Sequence, residues 1–89
     1  MDLKNKVTEI NNLISLNKFP QALSKCEKLI KKVPNNSYLF NLMGLILQQC
    51  HKLNSSIVYF QKSLSIQEDN YAAMNNLANS YKNFIADLP

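Results

Sequence analysis

The chain has 89 residues, enough for one small domain with a thin core, and its 46% apolar and 18% charged content is that of an ordinary folded protein. One glycine and three prolines argue against disorder and against an all-β fold rich in tight turns. The net charge of +4 comes from ten lysines with no arginine, and seven of those lysines lie in residues 1–34. The opening Met1-Asp2-Leu3-Lys4-Asn5-Lys6 lacks the apolar stretch of a secretory signal, and no run reaches membrane-spanning length. A cytoplasmic, reducing setting is the expectation.

Five helices are predicted in chain order. The first spans roughly Leu3 to Leu16, with Leu3, Val7, Ile10, Leu13 and Ile14 at helical spacing. Asn17-Lys18 ends it, and Pro20 suits the first turn of the second helix. That helix carries Ala22, Leu23, Cys26, Leu29 and Ile30 on one face and ends near Lys32. Pro34 stops it, and Asn36 or Ser37 caps a third helix that runs to about Cys50. Asn54-Ser55-Ser56 reads as the cap of a fourth helix reaching about Ile66. Asp69 or Asn70 caps a fifth that continues to about Ile85. Short loops make successive helices antiparallel.

The pattern repeats every 34 residues. Phe40-x-x-Met43-Gly44-x-x-Leu47 returns as Met74-x-x-Leu77-Ala78-x-x-Tyr81, and Ala22-x-x-x-Cys26 returns as Ser56-x-x-x-Phe60. A fixed period of this length is the mark of stacked helix pairs, each of which needs a neighbour to bury its apolar face. These residues resemble the tetratricopeptide repeat family, whose pattern is W-x2-L-G-x2-Y, then A-x3-F, then P. Phe40, Met43, Gly44, Leu47, Ser56 and Phe60 carry the match in the middle repeat, with Glu68 where proline is usual. Ala22 and Pro34 carry it in the first. The resemblance implies an all-α, right-handed solenoid of antiparallel helix hairpins. It forms one domain over residues 1–89, with repeats at about 3–36 and 37–70 and an incomplete one at 71–89.

Two features of the repeats carry physical expectations. Gly44 interrupts a helix at a cost of about 1 kcal/mol relative to alanine, so close approach of the partner helix is expected there. Ser56 is the expected contact, with Gly44→Ala mild or stabilising. Lys6 and Glu9 stand where later repeats place Phe40 and Met43 or Met74 and Leu77, so the first repeat has the polar face of a cap. At the other end, Asp87-Leu88-Pro89 resembles the lead into a sixth helix, leaving Ala78, Tyr81 and Ile85 uncovered and open to self-association.

The resemblance implies a non-catalytic scaffold that binds a protein or peptide on a concave face lined by the first helix of each pair. By register that face holds Lys4, Val7, Asn11 and Ile14, then Tyr38, Asn41, Leu45 and Gln48, then Ala72, Asn75, Asn79 and Lys82. Its amides suit an extended peptide backbone. The plain alternative is a solvated surface coloured by the codon usage of an AT-rich genome. The family's clamp for acidic chaperone tails needs Lys, Asn, Asn, Lys and Arg, but its positions hold Val7, Asn11, Leu42, Ala72 and Asn76. That function is rejected.

Lys25, Lys28 and Lys32, with Lys31 beside them, form a stripe on the second helix, read as a solvated convex face in preference to a surface for an acidic partner, nucleic acid or anionic lipid. Without arginine or interleaved aromatics it argues against a nucleic-acid partner. Cys50-His51 lacks the orienting third group of a catalytic thiol, and Cys26, Cys50 and His51 are too few for zinc. No catalytic residue, metal or cofactor is expected. A second possibility is that the repeats precede the catalytic domain of a larger bacterial enzyme, such as a sulfotransferase or glycosyltransferase.

Overall fold

The computed structural model describes residues 2–89. Among them are five helices and no strand: α1 (Leu3–Ser15), α2 (Phe19–Lys32), α3 (Ser37–Gln49), α4 (Leu53–Ile66) and α5 (Tyr71–Ala86). The odd helices begin at Leu3, Ser37 and Tyr71 and the even ones at Phe19 and Leu53, so each start recurs after 34 residues.

The chemistry that starts and stops the helices recurs on the same period. The side chains of Asp2, Asn36 and Asn70 each accept a hydrogen bond from the backbone N–H three residues on, at Asn5, Leu39 and Ala73, which caps the odd helices. The exits from α1 and α3 are also alike. Asn17 and His51 sit at φ 58° and 62°, in the left-handed region. After α1, Lys18 N–H reaches Leu13 O at 2.8 Å, and after α3, Lys52 N–H reaches Leu47 O at 2.9 Å. This is the Schellman exit, which satisfies carbonyls otherwise orphaned at a helix end.

The loop after α3 corrects one expectation. Asn54-Ser55-Ser56 does not cap α4. The helix already starts at Leu53, and its N-cap is Lys52, whose side chain makes no capping bond. The Schellman turn brings the chain round so tightly that the residue closing α3 also opens α4, leaving no room for a separate cap.

Neighbouring helices in the chain pack on one another, and α3 also meets α5. Hydrogen bonds give the directions. Ser37 at the start of α3 meets Ser63 near the end of α4, so these helices run antiparallel. Asn41 meets Asn76 and Gln48 meets Ser80, so α3 and α5 run parallel. The core holds Ile10 from α1, Ala22, Cys26 and Leu29 from α2, and Leu39, Leu42, Met43, Ile46 and Leu47 from α3. Met43 thus shares one buried cluster with residues of α1 and α2. Phe40 instead stacks on Tyr59 of α4, with ring centroids 6.2 Å apart.

The close crossing at Gly44 exists, but its partner is Phe60 rather than Ser56. A Cβ placed on Gly44 would lie 2.5 Å from Cε1 and 2.6 Å from Cδ1 of that ring. Ser56 turns elsewhere: its Oγ donates to Leu53 O at 2.7 Å and lies 2.9 Å from Ser80 Oγ.

Candidate functional site

The row of residues expected on the concave face divides by environment. Lys4 and Asn11 on α1, Tyr38 on α3, and Ala72, Asn75, Asn79 and Lys82 on α5 are exposed. Val7 and Ile14 are half-buried against the core. Leu45 and Gln48 are half-buried and Asn41 is buried.

Asn41 and Gln48 join helices. Asn76 Nδ2 donates to Asn41 Oδ1 at 3.0 Å, and Gln48 Nε2 donates to Asn76 O at 3.1 Å and Ser80 Oγ at 2.9 Å. These amides hold α5 beside α3, and their hydrogen-bonding capacity is partly spent there. The amides of Asn11, Asn75 and Asn79 stay at the surface. The exposed part of the row is therefore Lys4, Asn11, Tyr38, Ala72, Asn75, Asn79 and Lys82, with Leu45 as a half-buried apolar point.

Sequence reasoning missed the polar network beneath this row. Ser37 Oγ donates to Ser63 O at 2.9 Å, and Ser63 Oγ donates to Ser37 O at 2.7 Å. Asn70 Nδ2 donates to both hydroxyls, at 2.9 and 3.2 Å, while its Oδ1 caps α5. One asparagine thus ties three helix ends together. Every buried side-chain nitrogen and oxygen among the described residues finds a partner. The signal was present in the 34-residue register: Ser37 and Ser63 stand where the first hairpin has Leu3 and Leu29.

The remaining candidates are not assembled for chemistry. Cys26 is buried, with its Sγ 3.6 Å from Leu39 O. Burial, aided by the Glu27 carboxylate, pushes its thiol from 9.0 up to about 12, so it stays protonated and a poor nucleophile. His51 lies at the surface with Nε2 3.0 Å from Asp87 Oδ2, which joins the α3–α4 turn to the end of α5. Among the described residues no three His, Cys, Asp or Glu side chains gather as metal ligands, and no helix is long and apolar enough to cross a membrane.

On α5, Ala78, Tyr81 and Ile85 are exposed, as are Tyr71 and Met74 along the same stripe and Leu88 just past the helix end, with Ile85 at 65% and Tyr71 at 71%. Gln61 Nε2 donates to Tyr81 Oη at 3.1 Å and steadies that ring. No protein-family model matches the chain, and no curated protein matches it.

Proposed function

We propose that the chain is a non-catalytic protein-interaction module of tetratricopeptide type, a right-handed stack that receives an extended peptide across α1, α3 and α5. The repeat type is supported by the 34-residue recurrence of helix starts, caps and Schellman exits. The binding reading rests on one observation: surface amides at Asn11, Asn75 and Asn79 accompany the exposed Tyr38 ring, a combination able to bond a peptide backbone and cover a side chain. Both cysteines are free, which fits a reducing cytoplasm.

The test is affinity capture with immobilised protein, comparing the parent with a Tyr38→Ala/Asn75→Ala variant whose helix content is unchanged by far-UV circular dichroism. The captured partner should be lost from that variant and retained by Ser65→Ala, an exposed change on α4. Retention by all three proteins would refute a concave site.

A second reading, self-association, is favoured by the α5 stripe. Tyr71, Met74, Tyr81 and Ile85 along it and Leu88 just past it stand 42–71% exposed, and a contiguous exposed apolar patch is often functional. A second copy could cover Ala78, Tyr81 and Ile85 through a two-fold contact of α5 with α5.

A further inference from the structure

The α1–α2 hairpin carries a recess to which neither α3 nor α5 contributes. Its floor is the buried pair Ile10 and Leu29, and Lys6, Lys25, Lys28 and Lys32 stand around its rim. The lysine stripe read from the sequence as a solvated face therefore borders an apolar slot and is joined by a fourth lysine from α1. Helical spacing makes the arrangement, since Lys25, Lys28, Leu29 and Lys32 fall at i, i+3, i+4 and i+7 on one face of α2. Glu9 is the single carboxylate on this rim and lies 3.7 Å from Lys25. Among the described residues no carboxylate is within ion-pair distance of Lys6, Lys28 or Lys32.

The second hairpin shows why the slot is open. Lys6, Lys25 and Lys28 are in register with Phe40, Tyr59 and Lys62. There the two rings stack and Lys62 Nζ lies 5.2 Å from the Tyr59 centroid, so the corner closes on itself. In the first hairpin two ammonium groups replace the rings. They repel rather than stack, so the recess stays open above Ile10 and Leu29, and because those two are only 1% and 4% exposed its accessible apolar lining comes mainly from the lysine methylenes.

We propose that this recess docks an acidic segment of a partner protein that carries a leucine or phenylalanine anchor flanked by aspartate and glutamate. The volume is about 120 Å³. That is below the several hundred Å³ of a cofactor pocket and suits a single anchoring side chain. A shallower recess of about 330 Å³ continues past Glu9 and Lys25 to Leu13 and Leu16, so the groove has the length for a chain segment. Charge complementarity selects the flanking residues. A free phosphate or a nucleic-acid backbone would meet the ammonium groups but leave the apolar lining between the lysine stems unmatched, and a membrane surface is too flat to enter the slot. This site goes beyond the concave-face reading and does not depend on it.

The experiment uses a fluorescein-labelled peptide with two leucines among aspartates and glutamates. A second peptide has serine for leucine, and a third has asparagine and glutamine for the acids. Anisotropy gives affinity, and amide chemical-shift mapping gives the site. The first peptide alone should bind, shifting α1 and α2 amides, with affinity that falls as salt rises. Lys6→Gln, Lys28→Gln and Lys32→Gln should each weaken it about twofold to fivefold, and Asn75→Ala should not change it. These lysines are exposed, so unchanged circular dichroism separates lost binding from lost folding. The proposal is overturned by equal binding of the serine peptide, or by equal competition from inorganic phosphate or phosphatidylserine vesicles. Shifts confined to α3 and α5, or no binding at about 1 mM peptide, would overturn it too.

Discussion

Gly44→Ala sets two opposing effects against each other. Alanine is the better helix former by about 1 kcal/mol, and on propensity alone the substitution would stabilise α3. The new methyl, however, would sit 2.5 and 2.6 Å from two Phe60 ring carbons and 3.0 Å from Cζ. Carbon atoms in favourable contact stand about 3.5–4.0 Å apart, so the overlap is roughly 1 Å. Phe60 is fully buried and cannot swing into solvent. Relief requires α4 to move or the ring to leave its rotamer, and overpacking of this kind costs about 1–3 kcal/mol. The packing loss wins, and the net expectation is destabilisation by about 1 kcal/mol, read as a fall in Tm of about 4–8 °C.

The first hairpin suggests the compensating change. Ile10 and Cys26 occupy the positions of Gly44 and Phe60, so large and small residues are exchanged while both sites remain buried. Phe60→Leu should therefore rescue Gly44→Ala, the double variant being more stable than the sum of the single effects by at least about 0.5 kcal/mol. Urea unfolding of the four proteins, followed by far-UV circular dichroism, completes the cycle. A stabilising Gly44→Ala, or additive effects in the cycle, would show that the Gly44–Phe60 crossing is not tight.

Three further outcomes are expected. Ser63→Ala removes a donor to Ser37 O and an acceptor for Asn70, and should cost about 1–3 kcal/mol in urea unfolding, whereas an effect below about 0.5 would deny the network a structural role. The Cys26 thiol ionises at 9.0 when unfolded and at about 12 when folded, so between these values the unfolded chain binds fewer protons and stability falls as pH rises. At about pH 10 this amounts to a loss on the order of 1 kcal/mol relative to neutral pH; Cys26→Ala should lack that part of the alkaline loss, and parallel stability curves would refute the account. Sedimentation at several concentrations should show mass rising with concentration for the parent and a monomer for Tyr81→Gln/Ile85→Gln, while a monomeric parent at high concentration would remove the self-association reading.

The elements were legible because their signals are local. Pro20 and Pro34 fix φ where they stand, and Asn36 and Asn70 cap through their own side chains, so each boundary is written within a few residues. The start of α4 was not legible by that route, because the turn before it is closed by backbone bonds from His51 and Lys52 rather than by a capping side chain. The candidate row was harder still. Spacing assigns Asn41, Gln48, Asn75 and Asn79 to one side of the stack, but it does not say which amides meet solvent and which meet another amide. That choice depends on the offset between α3 and α5, which places Asn41 opposite Asn76 and leaves Asn75 outside. The Phe60 contact was hidden for a similar reason: register relates equivalent residues between repeats, whereas packing relates residues across a hairpin.

The two hairpins use one backbone plan with different interiors. Where the first has Leu3 with Leu29, the second has Ser37 with Ser63, and where Ala22 and Ile46 stand in the apolar core, Ser56 and Ser80 share a hydrogen bond one period later. Apolar burial contributes about 1.5–3 kcal/mol for a large side chain, whereas a satisfied hydrogen bond contributes about 1 kcal/mol net and demands one geometry. The α1–α2 hairpin is thus held by bulk, which suits a rigid floor beneath the lysine rim. By contrast, α5 buries only small side chains fully, Ala73 and Ser80, and relies on Asn70, Asn76, Gln48 and Ser56 to fix its position. Of its large apolar residues only Leu77 is half-buried, while Tyr71, Met74, Tyr81, Phe84 and Ile85 are exposed. A helix attached mainly by directional bonds, with its apolar stripe uncovered, gains most when a partner or a second copy supplies the missing burial.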